Sequence, residues 1–221
     1  MKKSLLAIAL TAACASSVWA QTNDTLAKIK GSGSVTLGVR ESSGLGFTLG
    51  NGKYVGFHTE MGERVAADLQ KQLGLTKLEL KYQPVTSQNR IPLVQNGTVD
   101  IECGSTTNNA ARQKDVAFAV TTFVEEVRFA VKANSGITSI AQLNGKKVAT
   151  TTGTTSVQTL RKHERATNVN FEEVFGKDHA DSFLLLESGR ADAFVMDGSI
   201  LAANIAKSKA PADYKIVGEV L

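Results

Sequence analysis

Apolar and polar positions fall into blocks along the chain. After a short helical lead-in, Asn23 to Ile29, the run Val35-Thr36-Leu37-Gly38-Val39 reads as a strand that ends in the polar cluster Arg40-Glu41-Ser42-Ser43. A glycine-rich turn region follows, Gly44 to Gly56. From Glu60 to Leu73, the residues Met61, Val65, Ala66, Leu69 and Leu73 recur at helical spacing, and Gly74 stands as a C-terminal stop. Leu78-Glu79-Leu80-Lys81-Tyr82 then alternates as a strand does. Strand, helix and strand with short connections predict an α/β fold, a mostly parallel sheet covered by helices.

An internal echo extends this pattern. Leu93-Val94-Gln95-Asn96-Gly97-Thr98-Val99-Asp100-Ile101 has the layout of Leu185-Leu186-Glu187-Ser188-Gly189-Arg190-Ala191-Asp192-Ala193. Each reads as a helix ended by a left-handed glycine, then an apolar residue and Asp, then a buried strand. The two helices are expected to begin near Ser87 and His179, and the strands to end at Cys103-Gly104-Ser105 and Met196-Asp197-Gly198-Ser199. Two similar α/β lobes account for the repetition. Phe123 to Val131 reads as one long strand crossing between them, and Tyr214 to Val220 as a second crossing. Two crossings predict a first lobe completed by sequence after residue 221.

Composition narrows the class. With 42% hydrophobic and 21% charged residues and only 2 Cys, disorder and a disulfide-stapled miniprotein are excluded. Lys2 and Lys3, the apolar stretch Leu5 to Leu10 and Val18-Trp19-Ala20 before Gln21 form the pattern of a signal peptide over residues 1–20, which predicts export. Loss of both lysines with that leader takes the net charge from +4 to +2, too little to argue for a nucleic-acid partner. Cys103 then stands alone, as a buried thiol or half of a disulfide.

No nucleophile elbow, HExxH, CxxC, phosphate loop or EF-hand pattern occurs. His58 and His163 lie among polar neighbours and read as exposed. Hydroxyl-rich and basic segments instead stand where strands end, the place where α/β sheets hold ligands. They are Arg40; Ser87 and Arg90; Ser105, Thr107 and Arg112; Thr154 and Thr155; His179; and Asp197. Helix N-termini with neighbouring hydroxyls suit carboxylates, and arginine pairs with them in bidentate fashion. Singly, each has a plainer reading: Ser87 and Thr155 as N-caps, the arginines as solvated charges, Asp197 as a turn former. Together, three arginines and a histidine against one strand-end acid match an acidic α-amino acid.

Five segments carry a resemblance to a known family: Arg40-Glu41-Ser42-Ser43, Thr86-Ser87-Gln88-Asn89-Arg90-Ile91-Pro92-Leu93, Glu102-Cys103-Gly104-Ser105-Thr106-Thr107-Asn108-Asn109, Thr152-Gly153-Thr154-Thr155-Ser156 and Lys177-Asp178-His179-Ala180-Asp181-Ser182-Phe183. They resemble the glutamate/aspartate periplasmic binding proteins of ABC importers. The resemblance implies a type II periplasmic binding fold, two lobes joined by hinge strands and closing on L-glutamate or L-aspartate. Lobe 1 would occupy residues 21–125, lacking its C-terminal part, lobe 2 residues 126–213, and the second hinge strand 214–221. It also implies a periplasmic monomer that docks on an inner-membrane permease and has no cofactor, metal or catalytic residue.

By the same resemblance, Arg112 pairs with the ligand α-carboxylate, helped by Thr107 and by Thr154 or Thr155. Asp197 and Ser105 hold the α-ammonium. Arg40, Ser87, Arg90 and His179 take the side-chain carboxylate, whose charge would favour protonated His179. Relatives continue past this end and in some members supply a cysteine partner for the equivalent of Cys103. The Gly44-Leu45-Gly46-Phe47 loop is less aromatic than theirs. Two rivals share the fold: a dehydratase acting on a cyclohexadienyl acid, for which His179 is the sole acid or base candidate, and a receptor's sensor domain.

Overall fold

In the computed structural model, which describes residues 24–218 and 220–221, the apolar blocks assemble into two main sheets. The predicted leader and Asn23 lie outside the described residues. Helix α1 (Thr25–Ser32) starts at Asp24, whose carboxylate accepts from the Ala27 amide at 3.1 Å. Strand β1 (Ser34–Val39) leads into a hairpin, β2 (Phe47–Gly50) and β3 (Lys53–Val55), inside the segment read as turns alone. Helix α2 (Phe57–Gln72), β4 (Glu79–Pro84), α3 (Arg90–Gln95) and the short β5 (Ile101–Glu102) complete the first half.

A stretch without strand structure runs from 103 to 126, broken by one 3-10 turn at Arg112–Lys114. The second half contains β6 (Val127–Lys132), β7 (Lys147–Thr151), α4 (Thr155–Thr167), β8 (Glu172–Gly176), α5 (His179–Glu187), β9 (Ala193–Asp197), α6 (Gly198–Lys207) and β10 (Tyr214–Val217). The first sheet has the order β4-β1-β5, all parallel. The second has the order β10-β6-β9-β7-β8, with β7 parallel to both neighbours and β6 antiparallel to both of its own.

Burial follows the period of two. On β6 and β9, Phe129, Val131 and Val195 enter one core with Leu143, Val148 and Leu160, while Ala130, Phe194 and Met196 enter another with Phe183, Leu186 and Leu201. A sheet covered on both faces explains why β9 reads as an unbroken apolar run. The first lobe has one smaller core, built on Ile29, Val35, Leu37, Val39 and Ala66.

The echo is structural. Gly97 and Gly189 have φ of 74° and 73°, the left-handed conformation that ends each helix. Asp100 and Asp192 then play one role: each accepts from an amide in the first half of the neighbouring strand, Thr36 N at 2.8 Å and Lys147 N at 3.0 Å. Each also donates its own amide back to that residue's carbonyl, at 2.9 and 2.8 Å.

Three expectations change. The strand read over Phe123 to Val131 begins only at Val127, because the apolar residues before it, Phe123 and Val124, are exposed and pair with no strand. The terminal strand stops at Val217, although the Leu221 amide still donates to the Val127 carbonyl at 2.9 Å. Helix α3 starts at Arg90 rather than Ser87, after a turn in which Asn89 Oδ1 accepts from the Thr86 amide at 2.8 Å.

Candidate functional site

The segments that follow β1, β5, β7 and β8 meet between the two sheets, where Arg40 contacts Asp178 and Thr107 contacts Thr155, and Asp197 at the end of β9 lies beside them. A cavity of about 750 Å³ opens there, lined by Arg90, Ser105, Thr107, Thr155 and Asp197 among the expected site residues. Arg40, Ser87 and His179 are buried close by, and Arg112 bridges the rim.

Arg40 leaves the end of β1 with its side chain fully buried, and Arg90 at the start of α3 is 2% exposed. Neither is the solvated surface charge of the plainer reading. Arg40 Nη1 donates to Ser87 Oγ at 3.2 Å, and both Arg40 and Arg90 reach Ser105 Oγ at 3.5 Å. Burial lowers the Arg90 pKa to about 10, so it stays charged at neutral pH. Its Nε has no partner among the described residues.

Arg112 donates from Nη1 to the Thr107 carbonyl at 3.0 Å and from Nη2 to the Gly153 carbonyl at 3.1 Å. Thr107 and Thr155 hydroxyls meet at 3.1 Å, again across the cleft. Between the two threonine candidates the geometry discriminates: Thr154 turns its hydroxyl back onto the Thr151 carbonyl at 2.8 Å, as a buried residue of its own turn.

His179 opens α5 and is 1% exposed. Its Nδ1 lies 3.0 Å from Thr151 Oγ1, and its Nε2 has no partner among the described residues. Burial, reinforced by Arg40 and Arg90 against the opposing pull of Asp178, brings its pKa down to about 3. Without a ligand the imidazole is therefore neutral; the protonated form is expected only with a ligand carboxylate beside it. Asp197 behaves in the opposite sense: burial first, then the neighbouring Glu125, lift it to about 6, although Arg90 and Arg112 pull it down.

Several residues of the site escaped the sequence reading. Asp178 caps no backbone amide of α5; its carboxylate instead crosses the cleft, accepting from Arg40 Nη2 at 2.6 Å and Ser42 Oγ at 2.7 Å. Burial alone would raise its pKa, but Arg40 and the Ser42 hydroxyl outweigh that and hold it low. Glu102 accepts from Thr106 Oγ1 at 2.7 Å, and Glu125 from the Ser199 amide at 3.3 Å. The arginines thus face three carboxylates, Asp178, Glu102 and Asp197, rather than one. Only the position of Asp178 in the Lys177-Asp178-His179 segment hinted at this. His58, expected at the surface, is 6% exposed at the start of α2 and lines the cavity. Burial pushes the Cys103 thiol up to about 11.

Residues 35–186 match the family of bacterial extracellular solute-binding proteins, family 3, and the chain belongs to it. It is 44% identical over 219 residues to the L-glutamate/L-aspartate-binding protein of Pseudomonas aeruginosa, covering 97% of this chain and 72% of that one. Over 218 residues it is 43% identical to the glutamate/aspartate import solute-binding protein of Escherichia coli K12, with the same coverage. Among solved structures, a periplasmic binding protein from Brucella ovis with glutathione bound aligns with a TM-score of 0.79 at 26% identity, over 89% of this chain and 62% of that one. The P235GK mutant of ArgBP from T. maritima aligns with a TM-score of 0.75 at 28% identity, over 89% and 81%. These are type II periplasmic binding folds, as the sequence resemblance implied.

Proposed function

We propose that this protein captures an acidic α-amino acid, L-glutamate or L-aspartate, in the cleft and delivers it to an ABC importer of the inner membrane. The observation that carries this reading is the pair of buried, charged guanidiniums, Arg40 and Arg90, set beside Ser87, Ser105 and His179. A buried cation with few partners is stabilised by an incoming carboxylate. Arg112 with Thr107 and Thr155 takes the α-carboxylate, and Asp197 with Ser105 the α-ammonium. The two relatives above, named for glutamate and aspartate, carry the same specificity.

The ligand leaves unchanged. His179, buried and lowered to about 3, is a poor general base at neutral pH. The protein works as a periplasmic monomer, exported by its leader and docking on a permease. Among the described residues no helix is long and apolar enough to cross a membrane.

Thermal melts with L-glutamate, L-aspartate, L-glutamine and L-histidine test the assignment, because a ligand selective for the native state raises the transition, by about 2.7 kcal/mol at 100 Kd. A rise with the two acids supports it. A clean transition that neither acid moves overturns it.

A further inference from the structure

Behind His179 lies a chain of hydroxyls with no role in the ligand contacts above. Its Nδ1 meets Thr151 Oγ1 at 3.0 Å, which meets Ser182 Oγ at 2.8 Å. Ser182 Oγ in turn lies 3.0 Å from the Thr150 carbonyl and 3.1 Å from the Asp178 carbonyl. Thr151 and Ser182 are both fully buried, so no water relieves the arrangement.

Donor and acceptor arithmetic fixes the protons. The two carbonyls only accept, so the single Ser182 proton goes to them. Ser182 Oγ is then free only to accept, and takes the Thr151 proton. Thr151 Oγ1 accepts in its turn, and the donor is His179 Nδ1. The neutral imidazole carries one proton, so Nε2 presents a bare lone pair, matching its lack of a partner among the described residues.

We infer that Thr151 and Ser182 are positioning residues that hold the proton of His179 on Nδ1, so that a ligand carboxylate arriving at Nε2 brings one proton into the site with it. This rests on the proposed binding of an acidic amino acid at His179. A lone pair facing a carboxylate oxygen is repulsive, and a proton taken up at Nε2 turns that contact into a charge-assisted hydrogen bond. The proton comes from solvent, and neutral imidazole becomes imidazolium. Shifting the tautomer instead would require the Ser182 hydroxyl to leave the Thr150 carbonyl in a dry core, while the Asp178 carbonyl keeps the Ser182 amide at 3.0 Å. The charged groups facing the ring are Arg40 from the end of β1, Arg90 from α3 and Asp178 at the head of α5. Without ligand, the two arginines and burial keep the ring neutral; the ligand's charge changes that balance. A side-chain amide, by contrast, donates to the bare Nε2 without any proton, so acid over amide selectivity weakens as pH rises.

Long-range 1H–15N spectra of the histidine rings report tautomer and charge directly. Loss of one signal in His179→Asn assigns the ring among the three histidines of the chain. At pH 7 the free protein is expected to show His179 protonated on Nδ1 alone, and saturation with L-glutamate to convert it to imidazolium. Titrations in two buffers of different ionisation enthalpy should count about one proton taken up per glutamate, a slope of about tenfold in affinity per pH unit. Thr151→Ser should keep the Nδ1–H tautomer, whereas Thr151→Val should lose it. A free ring protonated on Nε2, or a saturated complex with a neutral ring, overturns the inference and leaves glutamate binding intact. Backbone amides that do not move with L-glutamate or L-aspartate sink the binding assignment itself, and the inference with it.

Discussion

Asp197 shows how a single residue trades stability for binding. Its carboxyl, raised to about 6 in the fold from its ordinary 3.8, is easier to protonate folded than unfolded. The stability it contributes is therefore full below about pH 4 and is lost as pH rises through 6, up to about 3 kcal/mol for a shift of roughly two units. An α-ammonium beside the ionised carboxylate restores part of that. Asp197→Asn should accordingly melt higher than the parent protein at pH 7, flatten the decline between pH 4 and 6, and bind glutamate at least tenfold more weakly. Melts at four pH values and one titration check this; a variant with the parental pH dependence contradicts the account of Asp197. At this scale the sequence marked Arg40, Arg90, Arg112 and His179 because each follows a strand. It could not mark the charge of His179, which depends on burial and on arginines 139 and 89 residues away in sequence. Asp178 was hidden for a related reason: an acid before a helix reads as a cap, and its partner lies on the other sheet.

Among the elements, those with local signals were legible and those defined by their neighbours were not. The helix, glycine, apolar residue and Asp of the echo sit within nine positions, and each supplies its own physical cue. The run before β6 also begins with apolar residues, yet Phe123 to Glu126 join no ladder, since strand structure needs a partner that sequence periodicity does not reveal. The β7 to α4 turn has a further constraint. Gly153 has φ of 82°, and a Cβ there would lie 2.8 Å from Gln88 Cα and from the Ser87 carbonyl oxygen, backbone atoms of the opposite lobe. Only a glycine lets the two backbones approach this closely. Gly153→Ala should keep the helical signal in far-UV circular dichroism but weaken glutamate binding by about tenfold or more, about 1.4 kcal/mol. Parental affinity in calorimetry would show that the lobes need not meet here.

At the scale of the whole molecule, the lobes are held together by a few polar contacts. They include Asp178 to Arg40 and Ser42, Thr107 to Thr155, Arg112 to the Gly153 carbonyl and Asn204 Nδ2 to the Ser42 carbonyl at 3.5 Å. Each of them joins the first half of the chain to the second, so a hinge motion that parted the two lobes would break them. Among these contacts the ion pair has the largest leverage, because Arg40 is completely buried and Asp178 only 20% exposed. Asp178→Asn removes the formal charge but not the bulk. Arg40 then loses its carboxylate in the closed arrangement, while opening returns the guanidinium to water. For a partly exposed pair the shift toward opening should be on the order of 1–3 kcal/mol, below the cost of breaking a fully buried one. Small-angle X-ray scattering should therefore give a larger radius of gyration for Asp178→Asn than for the parent protein. Saturating L-glutamate should reverse the difference, since its side-chain carboxylate supplies Arg40 with the missing charge. If the variant scatters as the parent does, closure rests on the threonine and glycine contacts, and Asp178 serves only to orient Arg40 for the ligand.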